Sequence, residues 1–239
     1  MPGNDQPIAE NSPTSTRHIG QVCRQPATSV VRSAPPAGGS ADGERTVALT
    51  FDDGPGRWTS DILDVLRKND VHATFFVVGK QLVAEPETLQ QIVAAGHALG
   101  NHSWSHNIPS ESAGWNPAVL AEEIERTDRA ILDITGRQPC VFRPPGGVVD
   151  GATDVSVAAG LSLVLWSVDT RDWSGQHARD AEFASVIRER ARQGLAEQHP
   201  VILLHDGGGY RGATVTALDG IIEDYRAAGY RFVTVDGRR

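Results

Sequence analysis

Two neighbouring carboxylates, Asp52 and Asp53, close the run "TVALTFDDGPG" at residues 46–56. Like charges side by side repel, and entering a cleft costs them hydration, so something elsewhere in the chain must hold them. Further along, "HSWSH" sets His102 and His106 four residues apart. On a helical turn that spacing brings both imidazoles to one face, within reach of one metal ion. Exposed or capping histidines share the spacing and are the commoner case when nothing else points to a metal. A carboxylate past a neighbouring strand changes the balance. Two His and one Asp leave coordination positions for water and substrate, as catalytic zinc sites do. Asp53 would be the third ligand. Asp52 is then free to take a proton from water beside the ion, although a turn-capping Asp reads the same way.

Two more strand ends carry reactive groups. Arg143 in "FRPPGG" is held by two prolines, and a guanidinium aimed at Asp52 would keep that carboxylate ionised and oriented. The alternative, a surface Arg, is disfavoured by its apolar flanks. His205 ends "VILLHD" and could protonate a leaving group opposite a metal and a base, whereas a lone strand-end His is more often structural. The following "HDGGG" lacks the Lys-Ser/Thr ending and spacing of a phosphate loop. "DTRDW" adds Asp169, Asp172 and Trp173 past another strand-like run.

These groups are far apart in sequence, so the fold must gather them. Strand-like runs at 46–51, 73–79, 97–102, 140–145, 161–169, 200–206 and 230–235 alternate with helical patterns at 59–70, 86–96, 116–136, 152–160, 178–194 and 214–229. Thr59 or Ser60 is the expected N-cap of the first helix. Strand–helix alternation implies βαβ units and a mainly parallel sheet. Seven or eight such units suggest a barrel, whose reactive residues collect at the C-terminal ends of the strands.

Composition bounds the rest. The 239 residues suit one large domain. Residues 1–44, rich in Pro, Ser, Ala and Gly, read as a flexible tail or linker. A net charge of −8 argues against nucleic acid, anionic lipid and polyanionic substrates. No stretch approaches 18 apolar residues, so no membrane span is expected. The first twenty residues lack an apolar signal core; the chain is expected to be cytoplasmic, or extracellular or in the cell envelope if it is a mature form. Cys23 and Cys140 either pair across the tail or remain two buried thiols. Trp58, Trp104 and Trp115 could stack on sugar faces, but aromatic residues are more often core.

Taken in order, "TFDDGP", "HSWSH", "RPPGG", "DTRDW" and "LLHD" resemble the motifs of the polysaccharide deacetylases, the NodB-homology or carbohydrate esterase family 4 enzymes. The resemblance covers residues 46–235 and implies a single catalytic domain, 45–239, folded as a distorted (β/α)7-type barrel. It implies one divalent metal ion, zinc first with cobalt, manganese or nickel as alternatives, held by Asp53, His102 and His106. Asp52 is the implied base, Arg143 its orienting partner and His205 the general acid. Asp172, with Asp169 as second candidate, holds His205, while Trp173, Gly146, Pro145 and Leu203 line the substrate pocket. The implied reaction is removal of N-acetyl groups from an acetylated amino-sugar polymer or oligomer, chitin or peptidoglycan, by a monomer. Acetyl xylan esterase, deacetylase of a small biosynthetic intermediate and inactive glycan-binding barrel are the alternatives. One departure stands out. Many members carry Tyr where this chain has Gly146, which keeps the backbone N–H but should open the groove.

Overall fold

The computed structural model describes residue 23 and residues 25–36, 43–110, 113–175 and 180–237. Most of the expected tail, and the first two residues of the helix expected at 178–194, lie outside the described residues. The central strand β1 (Thr46–Asp52) is buried along its whole length, with strands hydrogen-bonded at both edges, β2 (Thr74–Val77) and β7 (Val201–His205). A strand covered on both faces reads as a continuous apolar run, as "TVALTF" does. The sheet continues through β3 (Ala98–Asn101), β4 (Val141–Phe142), β5 (Ser162–Leu163) and β6 (Val168–Asp169) in the order β5-β4-β3-β2-β1-β7-β6, while β8 (Arg231–Phe232) pairs with the start of β1. Every pairing between these strands is parallel. The register sets Asp52 beside both Phe76 and His205, and Asn101 beside Phe142. Chemistry-bearing strand ends therefore meet at one rim.

Helices α1 (Thr59–Lys68), α2 (Gly79–Ala84), α3 (Pro86–Ala94), α4 (Pro117–Thr135), α5 (Ala152–Ala158), α6 (Asp180–Ala191) and α7 (Gly212–Ala227) follow the strands. In α1, Ile62, Leu63 and Leu66 form the buried stripe. Its N-cap is Trp58, with no side-chain cap. Thr59 instead accepts the Gly56 N–H and donates to Asp206. In α4 the Asn116 side chain accepts from the Ala118 and Val119 amides, Pro117 opens the helix, and Gly136 closes it at φ 68°. Helix α2 has no counterpart in the sequence reading, because Gly79 there ends a strand. Among the described residues no helix is long and apolar enough to cross a membrane.

Two further features depart from expectation. The strand expected at 161–169 breaks into β5 and β6, because Arg143 and an N-terminal segment compete for its backbone. Val31 N–H donates to Leu163 O and Leu165 N–H to Val31 O, and Ser33 bridges Pro200. The second departure is that segment itself, which composition reads as flexible. Its described part lies against the barrel, with Ala34 buried. Cys23 pairs with Cys140 across 117 residues, a closure that the chain-entropy account values at about 5 kcal/mol. Val31 and Ala34 add buried contacts that a compositional average hides.

Candidate active site

Adjacent residues of a strand face opposite sides, yet both carboxylates of "DD" reach one cleft. The reason is local: Asp53 adopts φ 74°, a left-handed conformation, so the alternation stops there. Room for that turn comes from the "HDGGG" loop. A Cβ on Gly207 would stand 2.1 Å from Asp53 O, and one on Gly208 2.3 Å from Asp53 Oδ2. The glycine run that resembles a phosphate loop is thus a seat for Asp53. Arg211, buried, braces it by donating from Nε to Gly207 O at 2.8 Å.

His102 and His106 do not sit on a helical turn. They flank a loop with left-handed backbone at Ser103 (φ 65°) and His106 (φ 56°), which swings the second ring back to the first at 5.0 Å between centroids. His102 Nδ1 lies 2.7 Å from the Arg143 carbonyl. A carbonyl only accepts, so Nδ1 carries the proton and Nε2 keeps its lone pair. That Nε2 is 3.5 Å from Asp53 Oδ1, and His106 Nε2 is 2.9 Å from the same oxygen. Asp53 Oδ1 nevertheless is buried and makes no aligned hydrogen bond. Three donor atoms converge within 4.8 Å without bonding one another, the arrangement of ligands around a cation. The donor set fits a borderline divalent metal such as zinc.

Asp52, 3% exposed, is held from behind. Arg143 is completely buried beneath it and donates from Nη1 to Asp52 Oδ1 (2.7 Å) and Thr50 Oγ1 (2.9 Å). Nε and Nη2 reach the carbonyls of Val164 and Leu165, and the guanidinium lies 4.0 Å from the Phe76 ring centroid. A buried charge is tolerable only when so many donors are satisfied. The other Asp52 oxygen, Oδ2, is 3.7 Å from His102 Nε2, so it faces the convergent ligands.

Across the rim, His205 Nδ1 lies 2.7 Å from Asp172 Oδ1. Asp172 Oδ2 accepts from the His205 amide and from Thr214 Oγ1, both at 2.8 Å. Burial opposes charge on His205, but Asp172 overcomes it, and the pKa is pushed up to about 9. Asp169 is not the partner: its Oδ1 accepts the Arg171 amide.

These groups open onto a cleft of about 450 Å³. Trp173, Gly146 and Leu203 line it; Pro145 is buried in a short 3-10 turn, and Pro144 lines the cleft. Sequence reasoning missed Trp166 and Ile108, which also line it. Trp166 looks like core in "LSLVLWSVD", and Ile108 follows no motif. Ile108 corrects the expectation of a wider groove: a Cβ on Gly146 would meet Ile108 Cγ2 at 2.9 Å, and Gly146 sits at φ 65°. The space left by the missing large side chain is therefore partly occupied. Of the three tryptophans proposed for stacking, Trp115 is buried and bonded to Val148 O, Trp104 lies under Arg126, and Trp58 packs against Tyr210. None lines the cleft.

A family model described as polysaccharide deacetylase matches residues 39–164. The chain is 35% identical over 202 residues to a peptidoglycan-N-acetylglucosamine deacetylase of Bacillus cereus, covering 80% of this chain and 87% of that protein. It is 38% identical over 172 residues to a chitooligosaccharide deacetylase of Bradyrhizobium, covering 71% and 74%. Other curated relatives are longer, and the match spans 38% of their length. Among solved structures, a peptidoglycan N-acetylglucosamine deacetylase in complex with an N-hydroxybenzamide superposes with TM-score 0.74 at 33% identity, covering 86% of this chain and 90% of that one.

Proposed function

The chain belongs to the polysaccharide deacetylase family of hydrolases, and on that premise we propose that it removes N-acetyl groups from N-acetylglucosamine-containing glycans, peptidoglycan or chitin oligomers, with one divalent ion. The observation that carries the proposal is the pairing at one rim of two opposed devices. Asp52 accepts from the fully buried Arg143 guanidinium at 2.7 Å, and His205 is kept cationic by Asp172 at 2.7 Å. A carboxylate oriented to accept a proton and an imidazolium able to give one are what amide hydrolysis needs.

Asp53, His102 and His106 would hold the ion, zinc first. Such an ion supplies Lewis-acid polarisation of the acetyl carbonyl and a more acidic water. Asp52 accepts the proton of the attacking water as its oxygen bonds to the carbonyl carbon. Gly146 offers its backbone N–H to the oxyanion. His205 gives its Nε2 proton to the amine nitrogen as the C–N bond breaks, leaving acetate and a free amine. Trp166 and Trp173 form cleft walls against which a sugar face can pack. The catalytic unit is placed at 45–239, with 1–44 as an extension. The Cys23–Cys140 bridge and the wall-directed names of relatives support an extracellular or cell-envelope location, since disulfides persist in oxidising compartments. The protein is proposed to act as a monomer.

Acetate release tests the reading. Chito-oligosaccharides, acetylated peptidoglycan and acetylated xylan are offered to the full chain, before and after chelation. Release from the amino-sugar substrates, lost on chelation and restored by metal, is the expected outcome. Release from xylan alone would reassign the enzyme to ester cleavage.

A further inference from the structure

The loop carrying His102 and His106 holds two non-glycine residues in left-handed backbone. Such a residue is strained and persists only where its surroundings over-determine it. Most of that support comes from one helix. Ser105, between the two imidazoles, donates both its amide (2.6 Å) and its hydroxyl (2.9 Å) to Glu123 Oε2 on α4. Trp104 is covered by the Arg126 guanidinium, 3.8 Å from its ring centroid. At the loop's entrance Asn101 donates to Ile124 O and Asp128 Oδ1 and accepts the Ser103 amide at 2.8 Å. On the far side, the first amides of α2, Gly79 and Lys80, donate to Ser103 O and Trp104 O. Glu123 does not line the cleft.

We infer that α4 is a clamp for the metal loop and that Glu123 is a positioning residue for His102 and His106, setting metal affinity without touching metal or substrate. The inference rests on the metal-site reading above. One carboxylate oxygen gathers two donors from Ser105, the residue just before the second ligand. Without it, Ser105 loses both hydrogen bonds that tie it to α4, left-handed His106 next to it is free to relax, and the second imidazole swings away from the first. Groups that orient ligands from behind typically change metal affinity 10–100-fold.

The test is competition for zinc between the full-length chain, first stripped of metal, and a chelating dye of known affinity, well below the melting temperature. Glu123→Ala is expected to weaken zinc binding about 10–100-fold, while Glu123→Gln, which retains an oxygen acceptor, stays near wild type. Glu125→Ala, exposed on α4 and paired with Arg129, should bind as wild type does. Should Glu123→Ala not fold, Ser105→Ala removes the hydroxyl arm alone and should cost a few-fold in affinity. Wild-type zinc affinity in folded Glu123→Ala, or in Ser105→Ala where that variant stands in, overturns the clamp. A wild-type chain that takes up no zinc overturns the metal-site reading and the clamp with it.

Discussion

Asp52→Asn is expected to bind its metal as wild type does and to lose turnover by about 10³–10⁴-fold, the upper part of the range for a removed general base. The substitution is nearly isosteric. An amide oxygen can still accept from Arg143 Nη1, which donates to Asp52 Oδ1 at 2.7 Å, so the buried guanidinium keeps a partner and the fold should persist. What disappears is a group able to take a proton. The amide nitrogen would also stand where Oδ2 now lies 3.7 Å from His102 Nε2. Metal content and acetate release measured on the same sample separate the two roles. Loss of metal would make Asp52 a ligand rather than a base, and full activity would remove it from the reaction.

The second large effect concerns His205. An amine leaves poorly without a proton, whereas an alcohol or phenol leaves more readily, so His205→Ala should cut N-acetyl cleavage by about 10²–10⁴-fold and aryl acetate cleavage much less. Equal losses on the two substrates would contradict the acid role. The pH profile supplies a further sign. With its pKa pushed up to about 9, His205 stays protonated through neutral pH, and turnover should fall as pH rises through about 9. Asp172→Asn removes the charge that overcomes burial, so the alkaline limb should move to lower pH. The same raised pKa contributes folding stability that is complete below the ordinary histidine value and lost as pH rises through 9.

Those residues were readable in the sequence because each follows a strand-like run, and parallel strands deliver their ends to one rim. That rule does not give strand order or register, and it is the pairing of β1 with β7 that sets His205 beside Asp52. Harder to read were features made by tertiary competition. Nothing local shows that Asp53, Ser103 and His106 take left-handed backbone, because contacts with Gly207, Gly208 and α4 impose it. The break of "LSLVLWSVD" into two strands arises from Val31 and from Arg143, which use its backbone groups. Trp166 therefore looks like an ordinary strand residue and lies instead at the cleft wall. Thr214, the third group on Asp172, sits in the first turn of α7 and carries no sequence signal of its role.

Fold alone does not guarantee turnover, because chemistry belongs to the site and not to the fold that carries it. Activity must lie in the side chains. The decisive measurement is metal stoichiometry in the wild-type chain and in Asp53→Ala after exhaustive dialysis against buffered zinc. One ion per wild-type chain and none retained by the variant is the expected result. An unchanged metal content in Asp53→Ala would contradict the assignment of Asp53, His102 and His106 as the site.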